Sequence, residues 1–155
     1  MNGAVITHIL NNDPQTCKWF QGFATPDTKI YITHKPALII LNTDKSNGPG
    51  EHWCVAIFLK NNVCEFFDPY GFSPVVYDFK HILLEYAHKI KFNTKRVQGN
   101  APTCGHHCIF FALNRSRKKS VEKIMRVYSM NLKQNDAMVY KFVQNLGVKF
   151  AHFCK

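Results

Sequence analysis

The chain opens on a mixed apolar and polar stretch, Met1 to Leu10, that reads either as a short helix or as a strand, and Asp13-Pro14 breaks it. CKWFQGFATPD, Cys17 to Asp27, alternates aromatic and small residues and reads as a structured loop, with Trp19 and Phe20 packing into a core. ALIILNT, Ala37 to Thr43, is a continuous apolar run of strand length, the pattern of a buried strand. DKSNGPGE, Asp44 to Glu51, is turn chemistry, and HWCVAIFL, His52 to Leu59, is the next strand. Lys60 to Asn62 turns the chain and VCEFFD, Val63 to Asp68, returns as an antiparallel partner. A hairpin centred on Asn61 sets His52 opposite Tyr70, with Asp68 close by, so that histidine and aspartate share one edge of the sheet.

Beyond Phe72 the period changes. Ser73-Pro74 supplies an N-cap and a proline at the first helical position. Val76, Phe79, Leu83, Tyr86 and Ile90 then recur at three and four residues and predict an amphipathic helix. His81 and His88 lie on its polar face and are expected to be surface histidines. Lys95 to Gln98 predicts a short strand leading to a helix that opens on Cys104, with Ile109, Phe110, Ala112 and Leu113 giving it a broad apolar surface. Ser120 caps a further helix carrying Val121, Ile124, Met125 and Tyr128 on one face. Asn135 or Asp136 opens a last one with Val139, Tyr140, Val143 and Leu146 inward, and Gly147 ends it. No internal repeat or low-complexity segment interrupts this order.

A length of 155 residues suggests a single domain over 1–155, large enough for a sizeable core. No apolar run is long enough for a transmembrane helix, and MNGAVITHILNNDP lacks the basic and apolar regions of a signal peptide. Cys17, Cys54, Cys64, Cys104, Cys108 and Cys154 have neither zinc-motif spacing nor the pattern of a secreted disulfide framework, which points to a reducing compartment. The net charge of +10 makes a polyanion partner plausible against the alternative of an ordinary basic surface. Its densest run, RSRKKSVEKIMR, nominates Arg115, Arg117, Lys118 and Lys119 as nucleic-acid contacts.

The candidate chemistry gathers in VQGNAPTCGHHCIFFAL, Val97 to Leu113. A cysteine at a helix N-terminus sits at the positive end of the macrodipole, which favours its thiolate. Gly105 lets a substrate backbone approach closely. Gln98 carries an amide donor suited to a developing oxyanion. His52 supplies a base and Asp68 a group to orient it, giving the chain order His, Asp, Gln, Cys. Trp53 either stacks near the imidazole or serves the core. Cys104, His106, His107 and Cys108 point in different directions from one helix, so no metal site is expected there. Cys108 reads as core.

The blocks GPGEHWCVAIFLKNNVCEFFDPYGFSP and VQGNAPTCGHHC, in this order, resemble the adenovirus maturation protease family (adenain) and, more distantly, the SUMO-deconjugating cysteine proteases. The likeness runs from about Cys17 to about Leu146. It implies an α+β fold, a papain-like arrangement of the adenain type, with a mixed, mainly antiparallel sheet packed on a central helix that starts at the nucleophile. It implies a cysteine endopeptidase with Cys104 as nucleophile, His52 as base, Asp68 as its orienting carboxylate and Gln98 in the oxyanion hole. Adenovirus protease has glutamate at the third place, whereas the SUMO proteases have aspartate. The resemblance further implies viral structural precursors as substrates, cut at small or glycine-containing sites, a virion and host-nuclear location, and DNA and an activating peptide as cofactors. No cysteine here matches the one that tethers that peptide. A monomer with no membrane partner and no resident metal is expected. Two rival functions are a SUMO- or ubiquitin-like deconjugating isopeptidase and a non-catalytic basic nucleic-acid-binding domain.

Overall fold

The structure, a computed structural model, describes residues 1–153 and the side chains of residues 1–147; Cys154 lies outside the described residues. Contacts divide the chain into two compact units. One is Trp19–Arg96, and the other joins Met1–Lys18 to the chain from Val97 onward.

The Trp19–Arg96 unit is built on one five-stranded sheet in sequential order: β1 (Phe20–Ala24), β2 (Ala37–Asn42), β3 (Trp53–Phe58), β4 (Val63–Phe67) and β5 (Lys89–Phe92). The three central strands pair antiparallel and both edge strands add in parallel, so the sheet is mixed. Ala37, Ile39 and Leu41 share one face with Cys54, Ala56, Phe58, Cys64 and Phe66. There they form a buried cluster with Phe79, Ile82 and Leu83. Leu38, Ile40, Val55, Ile57 and Phe67 on the opposite face are equally buried. Burial on both faces is why these strands read as continuous apolar runs rather than alternating ones.

The central hairpin falls where the apolar pattern put it, and three other expectations are corrected. The Cys17–Asp27 loop contains β1, whose residues Phe20 to Ala24 add in parallel beside β2. The helix expected from Ser73 to Ile90 is instead a 3-10 turn over Pro74–Tyr77, a single helical turn α2 (Lys80–Leu83), and then β5. Ser73 does accept the Val75 N–H at 3.3 Å, but Asp78 adopts a left-handed φ of 61° and stops the turn. Val76, placed on the inward face by the periodicity, is exposed. Ile90 pairs in β5 because β4 offers it an open parallel edge, Cys64 opposite Ile90. The strand expected at Lys95 to Gln98 is irregular chain. Asn93 ends β5 by turning its side chain onto the Asp68 backbone, accepting its N–H at 2.9 Å and donating to its carbonyl at 2.7 Å.

The second unit is helical: α1 (Gly3–Asn12), α3 (Cys104–Ser116), α4 (Val121–Met125) and α5 (Leu132–Phe153). Met1 to Leu10 thus resolves to helix, capped by Asn2, whose side chain accepts the Val5 N–H. α3 is the hub, touching α1, α4 and α5, with Cys108 to Leu113 buried without interruption. Ser120 caps α4 as its sequence predicts, accepting the Lys123 N–H. α5 begins earlier than Asn135 and continues past Gly147. Asn131 accepts the Gln134 N–H at 3.2 Å in its first turn, leaving Asn135 and Asp136 to other partners.

Candidate active site

In the sheet unit, the register of the central hairpin brings the candidate histidine and aspartate together. Val55 pairs with Phe67, and the same register continued brings His52 opposite Tyr70. The two rings stack with centroids 4.4 Å apart and planes within 16°. His52 Nε2 lies 2.6 Å from Asp68 Oδ1, and both residues are buried. The Asp68 carboxylate also accepts the Tyr70 N–H at 2.9 Å, the Phe72 N–H at 3.1 Å and the Tyr77 hydroxyl at 2.7 Å. Burial by itself would raise the Asp68 pKa, but these donors outweigh it and hold the carboxyl below its ordinary range. Tyr77 is pushed the other way, chiefly by burial and then by Asp68, so it stays a protonated donor.

The turn that presents Asp68 depends on Gly71. Its N–H donates to the Asp68 carbonyl at 2.8 Å and its φ is 76°. A Cβ there would meet the backbone of Thr94 to Arg96 at 2.9 Å, and backbone cannot swing aside. Arg96 in turn lies over the Tyr70 ring, 5.1 Å from its centroid. The ring stacked on His52 is therefore Tyr70, not Trp53. Trp53, the next residue along the strand, meets Phe23 edge-on at 5.8 Å.

Cys54 joins this cluster: its sulfur, a His52 ring nitrogen and an Asp68 oxygen all lie within 4.8 Å of one another. Two ligands of a tetrahedral zinc, each about 2.1 Å from the ion, stand about 3.4 Å apart. The 2.6 Å between His52 and Asp68 is a hydrogen bond instead, and both carboxylate oxygens already serve other donors. The geometry fits an oriented imidazole better than a metal centre.

In the helical unit, Cys104 is the first residue of α3 and is half-buried, followed by buried Gly105. Gln98 is buried, and its amide nitrogen donates to the Ala101 carbonyl at 2.9 Å. Thr103 occupies the N-cap position but makes no side-chain cap bond to α3. Its hydroxyl goes to Asp136 at 2.9 Å. Asp136 also accepts the Gly99 N–H at 3.1 Å and lies 3.0 Å from His107 Nε2. His107 is fully buried, with Nδ1 3.2 Å from the Tyr128 hydroxyl. His106 is half-buried beside Tyr140, and desolvation lowers its pKa. Sequence reasoning named neither Tyr77 nor the Asp136–His107–Tyr128 chain as site residues. Asp136 stood out there only as a helix opener, and nothing in its local sequence signals partners 29 to 37 residues away.

The basic run forms the end of α3. Arg117 forks onto Asp13, at 2.6 Å to Oδ1 and 3.1 Å to Oδ2. Lys119 donates to the Asn114 side chain at 2.9 Å, and Arg115 reaches the Lys119 carbonyl. Lys118 sits at φ 64°, the left-handed residue that closes the helix.

No family model and no curated protein matches the chain. Among solved structures, similar ones include the ASFV pS273R protease in its selenomethionine form, 26% identical with a TM-score of 0.45, over 68% of this chain and 42% of that one. A second structure of the ASFV pS273R protease is 20% identical with a TM-score of 0.42, over 66% of this chain and 41% of that one. The chain thus spans about two fifths of the length of the proteins it matches.

Proposed function

We propose that the chain is a cysteine endopeptidase in which Cys104 and Gln98 act together with His52 and Asp68. The observation that carries this reading is the buried His52–Asp68 pair, an imidazole held through Nε2 by a carboxylate that four donors keep ionised. That arrangement leaves Nδ1 as the ring atom that exchanges a proton with a thiol, and it favours the imidazolium of an ion pair. The position of Cys104 at the start of a thirteen-residue helix supports its role as the thiolate nucleophile in this reading.

In this mechanism the thiolate attacks the scissile carbonyl, the C–S bond forms, and the carbonyl electron pair moves onto oxygen. The Gln98 amide and the Cys104 N–H receive that oxyanion. Collapse breaks the C–N bond, and the leaving amine takes its proton from His52, leaving a thioester. Water then attacks the thioester while His52 removes its proton. The acid product departs and the thiolate–imidazolium pair is restored. Asp68 holds the imidazole in one orientation throughout. The proposed substrates are viral structural precursors cut at small or glycine-containing sites. DNA and an activating peptide are the cofactors the family likeness suggests. Aspartate in the third place, as in the SUMO-deconjugating proteases, keeps an isopeptidase as the second reading. Cleavage of a Gly–Lys isopeptide in preference to a linear Gly-containing peptide would select it.

The test is the rate of iodoacetamide labelling of Cys104 between about pH 5 and pH 9, located by peptide mass spectrometry, in wild type and His52→Ala, with and without DNA. Exposed Cys17 gives the comparison with a surface thiol, and Cys64, which burial pushes up to about 12, should stay unlabelled. Rapid labelling of Cys104 at about pH 6, lost in His52→Ala, supports the ion pair. Labelling that tracks Cys17 at every pH, with DNA or without, overturns it.

A further inference from the structure

The loop between the proposed oxyanion donor and the proposed nucleophile is held by one carboxylate from another helix. Asp136 in α5 accepts from the Gly99 N–H with both oxygens at 3.1 Å, from the Ala101 N–H at 3.4 Å and from the Thr103 hydroxyl at 2.9 Å. These donors bracket the five residues that separate Gln98 from Cys104. The preceding residue of α5 continues the grip: Asn135 donates to the Val97 carbonyl at 3.1 Å. The fit is close, since a Cβ on Gly99 would stand 2.7 Å from Asp136 Oδ2.

Asp136 is itself held from behind. His107 Nε2 lies 3.0 Å from Oδ1, and His107 Nδ1 meets the Tyr128 hydroxyl at 3.2 Å. An ionised Asp136 can only accept, so Nε2–H donates to it, and Nδ1 shares the second hydrogen bond with the Tyr128 hydroxyl, which burial keeps protonated. His107 is one turn into α3, so the same carboxylate grips both the loop and the helix that carries Cys104. The Thr103 hydroxyl serves Asp136, and Thr103 makes no side-chain cap bond to α3.

We infer that Asp136 is a positioning residue that sets the spacing between the Gln98 amide and Cys104, and hence the geometry of the oxyanion hole. This rests on the proposed protease reading. In this role Asp136 acts through Gly99, Thr103 and His107. A misplacement of about 1 Å in such a site costs on the order of 100-fold in rate.

Two reactions of Cys104 separate the roles. Acylation by p-nitrophenyl acetate passes through a tetrahedral oxyanion, whereas alkylation by iodoacetamide displaces iodide and forms none. Both are measured with the full chain, for wild type and Asp136→Asn, together with thermal melting. The expected result is acylation slowed by about 100-fold with alkylation changed by less than about threefold. Should Asp136→Asn fail to fold, Thr103→Val and Thr103→Ser take its place: valine should slow acylation selectively and serine should restore it. Equal acylation in wild type and variants overturns the inference while leaving the protease reading standing. A parallel fall in acylation, alkylation and melting temperature also overturns it, because it marks a purely structural residue. Wild-type Cys104 that alkylates like Cys17 removes the protease reading itself, and with it this inference.

Discussion

Replacing Asp68 with asparagine tests the His52–Asp68 pair by removing a charge while keeping its shape. The carboxylate receives four donors between 2.6 and 3.1 Å and is fully buried. Asparagine retains one acceptor oxygen, which can keep two of them, and turns an NH2 group toward the other two. If the NH2 replaces Oδ2, the Tyr77 hydroxyl can rotate to accept, but the Phe72 N–H cannot. If it replaces Oδ1, it opposes the Tyr70 N–H and the His52 ring. Hydrogen bonds to a charged group contribute about 1.5–3 kcal/mol each, so losing one to two of them costs about 3 kcal/mol. For a chain of this size that is a fall in melting temperature of about 6–12 °C. The loss must also depend on pH. The Asp68 pKa is lower folded than unfolded, so as pH falls the unfolded chain takes up the proton first. Its contribution is complete above about pH 4 and is lost as pH falls through the folded value. Urea unfolding of wild type and Asp68→Asn, compared from about pH 5 downward where His52 is charged in both folded and unfolded chains, should show a stability gap that narrows as pH falls below about 4. A gap under about 1 kcal/mol at about pH 5, or one that does not narrow in acid, would refute the view that Asp68 is held ionised by these donors.

Two further outcomes follow from single contacts. Tyr77→Phe removes only the 2.7 Å hydroxyl bond to Asp68 and should lower stability by about 1–2 kcal/mol in urea unfolding. It should cost far less acylation rate than Asp68→Asn, because Asp68 keeps His52. Lys118→Gly relieves a lysine at φ 64° where α3 ends and should raise stability by about 0.5 kcal/mol, after the larger unfolded-chain entropy of glycine offsets part of the gain.

The hairpin was legible because its information is local. Two apolar runs flanking a three-residue turn set a register, and that register alone puts His52 beside Asp68, as the 2.6 Å bond bears out. The start of α3 at Cys104 was legible together with the broad apolar surface of Ile109, Phe110, Ala112 and Leu113 that follows it. The stretch from Ser73 to Ile90 was not. Its three- and four-residue spacing favours a helix, but Tyr77 is drawn to Asp68 and Ile90 to the open edge of β4, and both partners lie outside the stretch itself. The short helical pieces that result cannot outweigh a sheet edge and a buried charge, since isolated helices of a turn or two are marginal.

What the sequence determined by itself is the set of chemical groups and the elements that carry them: a thiol at a helix start, an imidazole and a carboxylate on one hairpin, an amide upstream. What only the tertiary structure decided is how those groups are held. Tyr70 rather than Trp53 stacks on His52, Tyr77 completes the shell of Asp68, and Asp136 ties Gly99, Ala101, Thr103 and His107 to one carboxylate. The physical reason is that buried polar groups must find partners wherever the fold brings them, and a lone Tyr, His or Asp in the chain carries no local mark of the distant partner it will satisfy.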